Sequence, residues 1–258
     1  MKVLLVGGSG HVGTATLPYM KPHHQFRVLD LIPPKDSSID YIQGSVTDPQ
    51  VVQRAIKGMD AFIYMVMRRP TDHNAPTADF EDIIANYEVN LMGLHILLHA
   101  AKAEGIRHGV YTSTFTVHER TRNRYPSEEE VPLDNPGVYG LTKGLGERVC
   151  QYFCREHNMS IIALRITGPS TRQQWIERRG QPRSDVVHIW WTDEEDLARA
   201  YLAAISVQHK GFDAVFIAGD EEQKEINLSK AGRILGWEPL THTYVNPSRS
   251  ISGHVSNV

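Results

Sequence analysis

Tyr139 and Lys143, in the stretch PGVYGLTKGLGERVCQYFC from Pro136 to Cys154, stand four residues apart on what reads as a helix. They therefore share one face. A phenol ionises near about 10, too high for a proton shuttle at neutral pH, and a nearby ammonium favours the phenolate. That is a chemical reason for the pair. The spacing alone is common on helices, and it gains meaning from the start of the chain.

There, Lys2 to Val6 forms an apolar run, followed at once by Gly7-Gly8-Ser9-Gly10-His11-Val12-Gly13 and a helical segment through about Met20. This reads as strand, tight turn, helix. Glycines at 7, 10 and 13 let the backbone turn sharply and approach a pyrophosphate, which would sit on the helix N-terminus with His11 and Val12 beside it. A second strand, Phe26 to Leu31, carries Asp30 where a carboxylate could accept the ribose hydroxyls of an adenosine. Asp30 would repel a 2′-phosphate, and the following Leu31-Ile32-Pro33-Pro34 offers no arginine. NAD is expected over NADP, with Arg27 and Lys35 the only phosphate partners nearby.

These motifs need a frame. Further strands are expected at Tyr41 to Gly44, Asp60 to Met67, Gly109 to Thr114 and Ile161 to Ile166. The helices expected between them follow Asp48-Pro49 to about Lys57, then Ile84 to Glu104, then the Tyr139 segment. Alternation of this kind predicts an α/β protein, a Rossmann-type doubly wound parallel sheet with helices on both faces. Residues 1–169 would form the core, and 170–258 a small C-terminal lobe completing the same domain.

The chain has 258 residues, with 27 basic and 30 acidic side chains and a formal net charge of −3. Nothing in that balance suggests a nucleic-acid surface. No apolar run reaches the length of about 18 needed for a membrane span, and no signal-peptide layout opens the chain. A soluble cytoplasmic protein is expected. Cys150 and Cys154 read as packing residues of a helix, not a disulfide framework. His95 and His99 lie one turn apart without a third ligand nearby, so no metal is expected.

The glycine turn, Asp30, Asn90 in YEVNLMG, Thr112-Ser113-Thr114 at a strand end, and Tyr139-Gly140-Leu141-Thr142-Lys143 stand in the order of a known superfamily. The chain resembles the short-chain dehydrogenase/reductases, in particular the extended branch of NAD-dependent epimerases and dehydratases. The resemblance covers about residues 1–169, and Asp196 to Ala200 and Leu235 to Pro239 echo it. It implies that Tyr139 is the acid/base on the substrate hydroxyl. Lys143 would hold the nicotinamide ribose, and Thr114 would bind the reacting oxygen, with Ser113 the alternative. Asn90 would serve a structural or a direct role. Thr112 and Gly168 would border the cofactor. Hydride would pass between a carbinol and nicotinamide. A homodimer built on the Asn90 and Tyr139 helices is also implied.

Some positions depart from that branch. Ser45 replaces its usual aspartate, leaving Ser45 and Val46 for the adenine. Met65, Val66 and Met67 replace small residues along the cofactor path. Phe115-Thr116 replaces Asp-Glu, which disfavours sugar dehydration. His118 replaces an aromatic residue; it is an expected substrate contact, as are Thr116 and Arg120, and the acidic run Glu128-Glu129-Glu130 reads as a solvated loop.

The stretch from Ser170 to Trp190 is too short for a nucleotide-sugar lobe and carries Arg172, Arg178, Arg179 and Arg183. An arginine fork suits a carboxylate, though a solvated basic loop would look the same. Together with Trp191 and the late LGWEP, this layout is similar to that of uronate dehydrogenases. The leading expectation is an NAD-dependent dehydrogenase of a small sugar or sugar acid, with Arg172 on the substrate. The alternatives are a nucleotide-sugar epimerase with tightly held NAD and a non-catalytic NAD-binding protein. The polar tail from Thr241 could be a free end or an arm.

Overall fold

The computed structural model describes residues 1–68, 79–119, 122–179 and 190–240. Strand β1, Lys2–Val6, is apolar on both faces because it lies in the middle of the sheet, where Val3, Leu4, Leu5 and Val6 are all fully buried. Around it run β2 (Gln25–Asp30), β3 (Asp40–Gln43), β4 (Ala61–Tyr64), β5 (His108–Thr114) and β6 (Ser160–Ile166). A seventh strand, Gly211–Ile217, which sequence reading did not foresee, adds to β6 at the far edge. With β7 (Gly168–Ser170) and β8 (Trp191–Asp193) paired outside the main sheet, this last strand is β9. The sheet order is β3-β2-β1-β4-β5-β6-β9, and every pair is parallel.

Alternate side chains feed two separate cores. Val3, Leu5, Val28 and Ile63 pack beneath α1 (His11–Met20), α7 (Glu194–Ser206) and α8 (Ser229–Leu235). Leu4, Val6, Phe62 and Tyr64 pack beneath α2 (Pro49–Ile56), α4 (Gly93–Ala103) and α5 (Val138–His157). A parallel sheet needs such cover on both faces to bury its apolar strands. α6 (Arg172–Arg179) lies between β7 and β8 in sequence. The order reverses between β1 and β4, so the crevice for a ligand opens past the carboxyl ends of these two strands.

Local chemistry sets the helix ends. Asp48 accepts from Gln50 N–H and Val51 N–H with Pro49 at the first helical position, and Asp193 caps α7 in the same way. The helix expected over Ile84 to Glu104 begins earlier, as α3 (Phe80–Asn86), and widens through a π-turn over Tyr87–Met92 before α4. The expected strand Asp60 to Met67 stops at Tyr64. Met65 N–H still donates to the Val6 carbonyl of β1 at 2.8 Å, and the backbone of Arg68 is taken up by Asn90, as described below. Among the described residues no helix is long and apolar enough to cross a membrane.

Candidate functional site

The glycine turn stands at the sheet reversal. Gly7 has φ +83°, and a Cβ there would come within 2.8 Å of Val66 N, so only glycine lets β1 turn against the segment after β4. Gly10 leads into α1 without any side-chain cap. Ser9 Oγ is shielded from solvent with no hydrogen-bond partner. A bare helix N-terminus beside an unpartnered hydroxyl fits an anionic pyrophosphate. His11 Nε2 lies 3.2 Å from the Pro169 carbonyl, joining this turn to β7, next to Gly168. Val12 and Gly13 are buried inward on α1.

Asp30 ends β2. Its Oδ2 accepts from Ser9 N–H at 2.9 Å and its Oδ1 from Leu31 N–H at 2.7 Å, which fixes the carboxylate at the turn while Leu31 points outward. Arg27 is engaged elsewhere, by Asp40 at 2.6 Å and by the carbonyls of Ala55 and Lys57. Ser45 Oγ pairs with Thr47 Oγ1 at 2.7 Å, and Val46 is buried in the core.

Asn90, on the π-turn, is fully buried. Its Oδ1 accepts from Arg68 N–H at 2.7 Å, and its Nδ2 donates to the Arg68 carbonyl at 3.0 Å and to Thr142 Oγ1 at 3.1 Å. Thr142 in turn donates to the Tyr139 carbonyl at 3.1 Å. One amide thus ties the segment Met65 to Arg68 to the helix bearing Tyr139 and Lys143. The extra residue of the π-turn puts the amide there.

α5 begins against the 3₁₀ turn Phe115–Val117 that follows β5. A Cβ at Gly140 would meet the Thr116 carbonyl at 2.4 Å, so glycine after Tyr139 permits this approach. Thr114 is nearly buried at the strand end, and its Oγ1 accepts from Thr116 N–H at 3.1 Å. Half-buried Tyr139 donates from its hydroxyl to Met67 Sδ at 3.4 Å. Lys143 is only 1 % exposed, with Nζ 4.4 Å from the Tyr111 ring centre. Burial pushes its pKa down to about 7, against the opposing pull of Cys150 and Glu147. The start of α5, carrying Tyr139 and, one turn on, Lys143, is thus set against the turn that follows Thr114, with Met67 against the Tyr139 hydroxyl.

Other expected residues are placed differently. His118 is fully buried: Nδ1 donates to the Pro132 carbonyl at 2.8 Å, and the ring packs on Phe115, Tyr125 and Phe216, so it is a core side chain and no substrate contact. Ser113 faces away from Thr114 along the strand and gives its hydroxyl to Glu147. Thr112 pairs with Tyr201 at 2.8 Å in the opposite core. Arg172 is held by Asp193 and Glu195. Glu128, expected as a solvated residue, is buried and accepts from Phe216 N–H at 2.6 Å. The side chains of Arg178 and Arg179, together with Arg120, Arg183 and residues 241–258, lie outside the described residues. His95 and His99 are exposed, and Cys150 and Cys154 are buried free thiols.

A doubly wound parallel sheet with a glycine turn at its reversal and a Tyr-x-x-x-Lys helix beside it defines a Rossmann-type dehydrogenase/reductase architecture. Residues 3–218 match the model of the NAD dependent epimerase/dehydratase family, and the chain belongs to that family. It is an NAD(P)-dependent enzyme of the short-chain dehydrogenase/reductase type. It is 24 % identical over 257 residues to an NAD-dependent glucose-6-phosphate dehydrogenase of Haloferax volcanii, covering 92 % of each chain. It is 22 % identical to a uronate dehydrogenase of Pseudomonas syringae pv. tomato, over 86 % of this chain and 75 % of that one. Among solved structures, a short-chain dehydrogenase/reductase superfamily protein from Agrobacterium tumefaciens with bound NAD superposes with a TM-score of 0.77. That match has 20 % identity and covers 93 % of each chain.

Proposed function

We propose that the protein is an NAD-dependent dehydrogenase acting on a secondary or anomeric alcohol of a small sugar or sugar acid. The observation that carries this reading is the start of α5, with Tyr139 and, one turn on, buried Lys143, packed against the turn that follows Thr114 at the carboxyl end of β5. Bound nicotinamide would supply hydride transfer to and from carbon. The chain's own residues do the rest. Thr114 Oγ1 and the Tyr139 hydroxyl would hold the reacting oxygen, and Tyr139 would take its proton on oxidation. Lys143, in ammonium form beside a phenolate, would stabilise that anion. The turn from Gly7 to Gly13, Asp30, Ser45 and Val46 would bind the nucleotide half, with the Asp30 carboxylate favouring NAD over NADP.

The relatives support a sugar-type substrate at the level of their names, and the short stretch before Trp190 supports a small one. The clasp of Arg172 by Asp193 and Glu195 argues that this arginine serves the lobe's own packing before any substrate. A homodimer is part of the same reading, supported by exposed Phe80, Ile84, Tyr87 and Met92 on the Asn90 helix and Leu141 and Tyr152 on α5. The test is reduction of NAD and NADP across uronic acids, neutral aldoses and simple secondary alcohols. Turnover with a sugar and NAD supports the proposal. Silence, with NAD released only on denaturation, would favour an epimerase instead.

A further inference from the structure

Glu147 follows Lys143 by one helical turn on α5 and is 1 % exposed. Its Oε1 accepts from Ser113 Oγ at 2.6 Å and from Arg165 Nε at 2.9 Å, and its Oε2 accepts from Arg165 Nη2 at 2.7 Å. Ser113 is the residue before Thr114, and it is paired across the sheet with Arg165 of β6. The remaining arm of Arg165 donates to the Glu128 carbonyl at 2.9 Å and lies 3.3 Å from His118 Nε2, so the same guanidinium also holds the loop that leads to Tyr139. Two strands, the reactive helix and that loop thus meet at one buried carboxylate and one guanidinium.

A buried ion pair is a poor device for stability alone, because apolar side chains of the same volume would often serve as well. What it supplies here is register and charge beside the reacting groups. We propose that Glu147 is a positioning residue of the Thr114–Tyr139–Lys143 site, pinning β5 to α5 through Ser113 and standing as the buried counter-charge to the Lys143 ammonium.

The groups facing Lys143 bear this out. Tyr111 of β5 lies beneath the ammonium, with Tyr64 of β4 packed on it at 6.1 Å between ring centres. Burial raises the pKa of both phenols, and it does the same to Cys150 on the lysine's own helix, so all three are neutral near pH 7. Among the described residues Glu147, one helical turn along α5 from Lys143, is the carboxylate whose charge acts on it, and Arg165 of β6 holds that carboxylate.

The proposal rests on the dehydrogenase reading, so its test includes a measurement made without cofactor or substrate. Lysine side chains labelled with ¹³C at Cε are titrated by NMR in the wild type and in Glu147→Gln, and kcat, KM and thermal midpoint are measured across pH. Glu147→Gln should move the Lys143 midpoint down by about one unit and shift the high-pH limb of kcat the same way, at nearly constant KM for NAD. Ser113→Ala, which keeps the charge, should lower kcat by about tenfold without moving the lysine midpoint. Glu147→Asp should restore the midpoint in part. A Glu147→Gln protein with only a lower thermal midpoint, its lysine titration and pH profile unmoved, would overturn the proposal. If Glu147→Gln does not fold, unchanged kcat in Ser113→Ala overturns it. A wild type without carbinol turnover would sink the dehydrogenase reading instead, while the lysine titration still decides the role of Glu147.

Discussion

The Met67 sulfur receives the Tyr139 hydroxyl at 3.4 Å, so a thioether caps the phenol to which proton transfer is assigned. A substrate oxygen bound to Tyr139 has to displace it. Met67 can give way because its side chain is unbranched and soft, and its backbone neighbour Arg68 is fixed by Asn90. The thioether should therefore act as a wall of adjustable size beside the reacting carbon. Met67→Ala is expected to raise kcat/KM for carbinols bearing a larger substituent, relative to smaller ones, by about tenfold. An unchanged ratio across a graded series of alcohols would remove Met67 from the substrate wall.

Asn90→Ala should leave the Arg68 N–H and carbonyl unpaired and cut the tie to Thr142. The expected loss is roughly 2–4 kcal/mol of stability, read by urea unfolding, together with weaker NAD binding as residues 65–68 loosen. Thr142→Ala, which removes one bond to Asn90 and one to the Tyr139 carbonyl, should cost less. Equal stability in wild type and Asn90→Ala would show that the clamp contributes nothing.

Asp30 is fixed at the turn by Ser9 N–H and Leu31 N–H, so its charge cannot swing away from a 2′-phosphate. Asp30→Ser should raise the ratio of kcat/KM for NADP over NAD by at least about tenfold. A ratio that stays put would mean that cofactor choice lies elsewhere.

His118 gives a pH-dependent signature. Burial drives its pKa down to about 4, so between pH 6.5 and 4 the unfolded chain holds a proton that the folded protein refuses. Its contribution is complete above pH 6.5 and is lost as pH falls towards 4, by roughly 3 kcal/mol. Unfolding free energy measured at both ends should fall more steeply for the wild type than for His118→Asn. Parallel curves would show that the imidazole does not carry the effect.

The parts of the site that lie in short local patterns were legible in the sequence. Gly7, Gly10 and Gly13 after an apolar strand, Asp30 at the next strand end, and Tyr139 with Lys143 one turn apart are all fixed by neighbours within a few residues. What depends on pairing between distant elements was not. Strand β9 has an apolar run, Ala214 to Ile217, that could have signalled it, but its place beside β6 is a matter of sheet order. The clasp of Glu147 by Ser113 and Arg165 needs the β5–β6 register, and the Asn90 clamp needs a π-turn that one extra residue creates. Charge alone did not reveal the partners of Arg172, since Asp193 and Glu195 come beside it only when β8 pairs with β7. Polarity misled at His118, because both ring nitrogens can be satisfied inside an aromatic core.

The most direct test of the central claim is Tyr139→Phe, assayed for nicotinamide reduction on whichever substrate the wild type turns over and for NAD binding by calorimetry. Removing one hydroxyl leaves the helix, Lys143 and the nucleotide turn in place, so NAD affinity should stay within about twofold while turnover falls by at least about a thousandfold. Turnover close to that of the wild type would contradict the assignment of proton transfer to Tyr139.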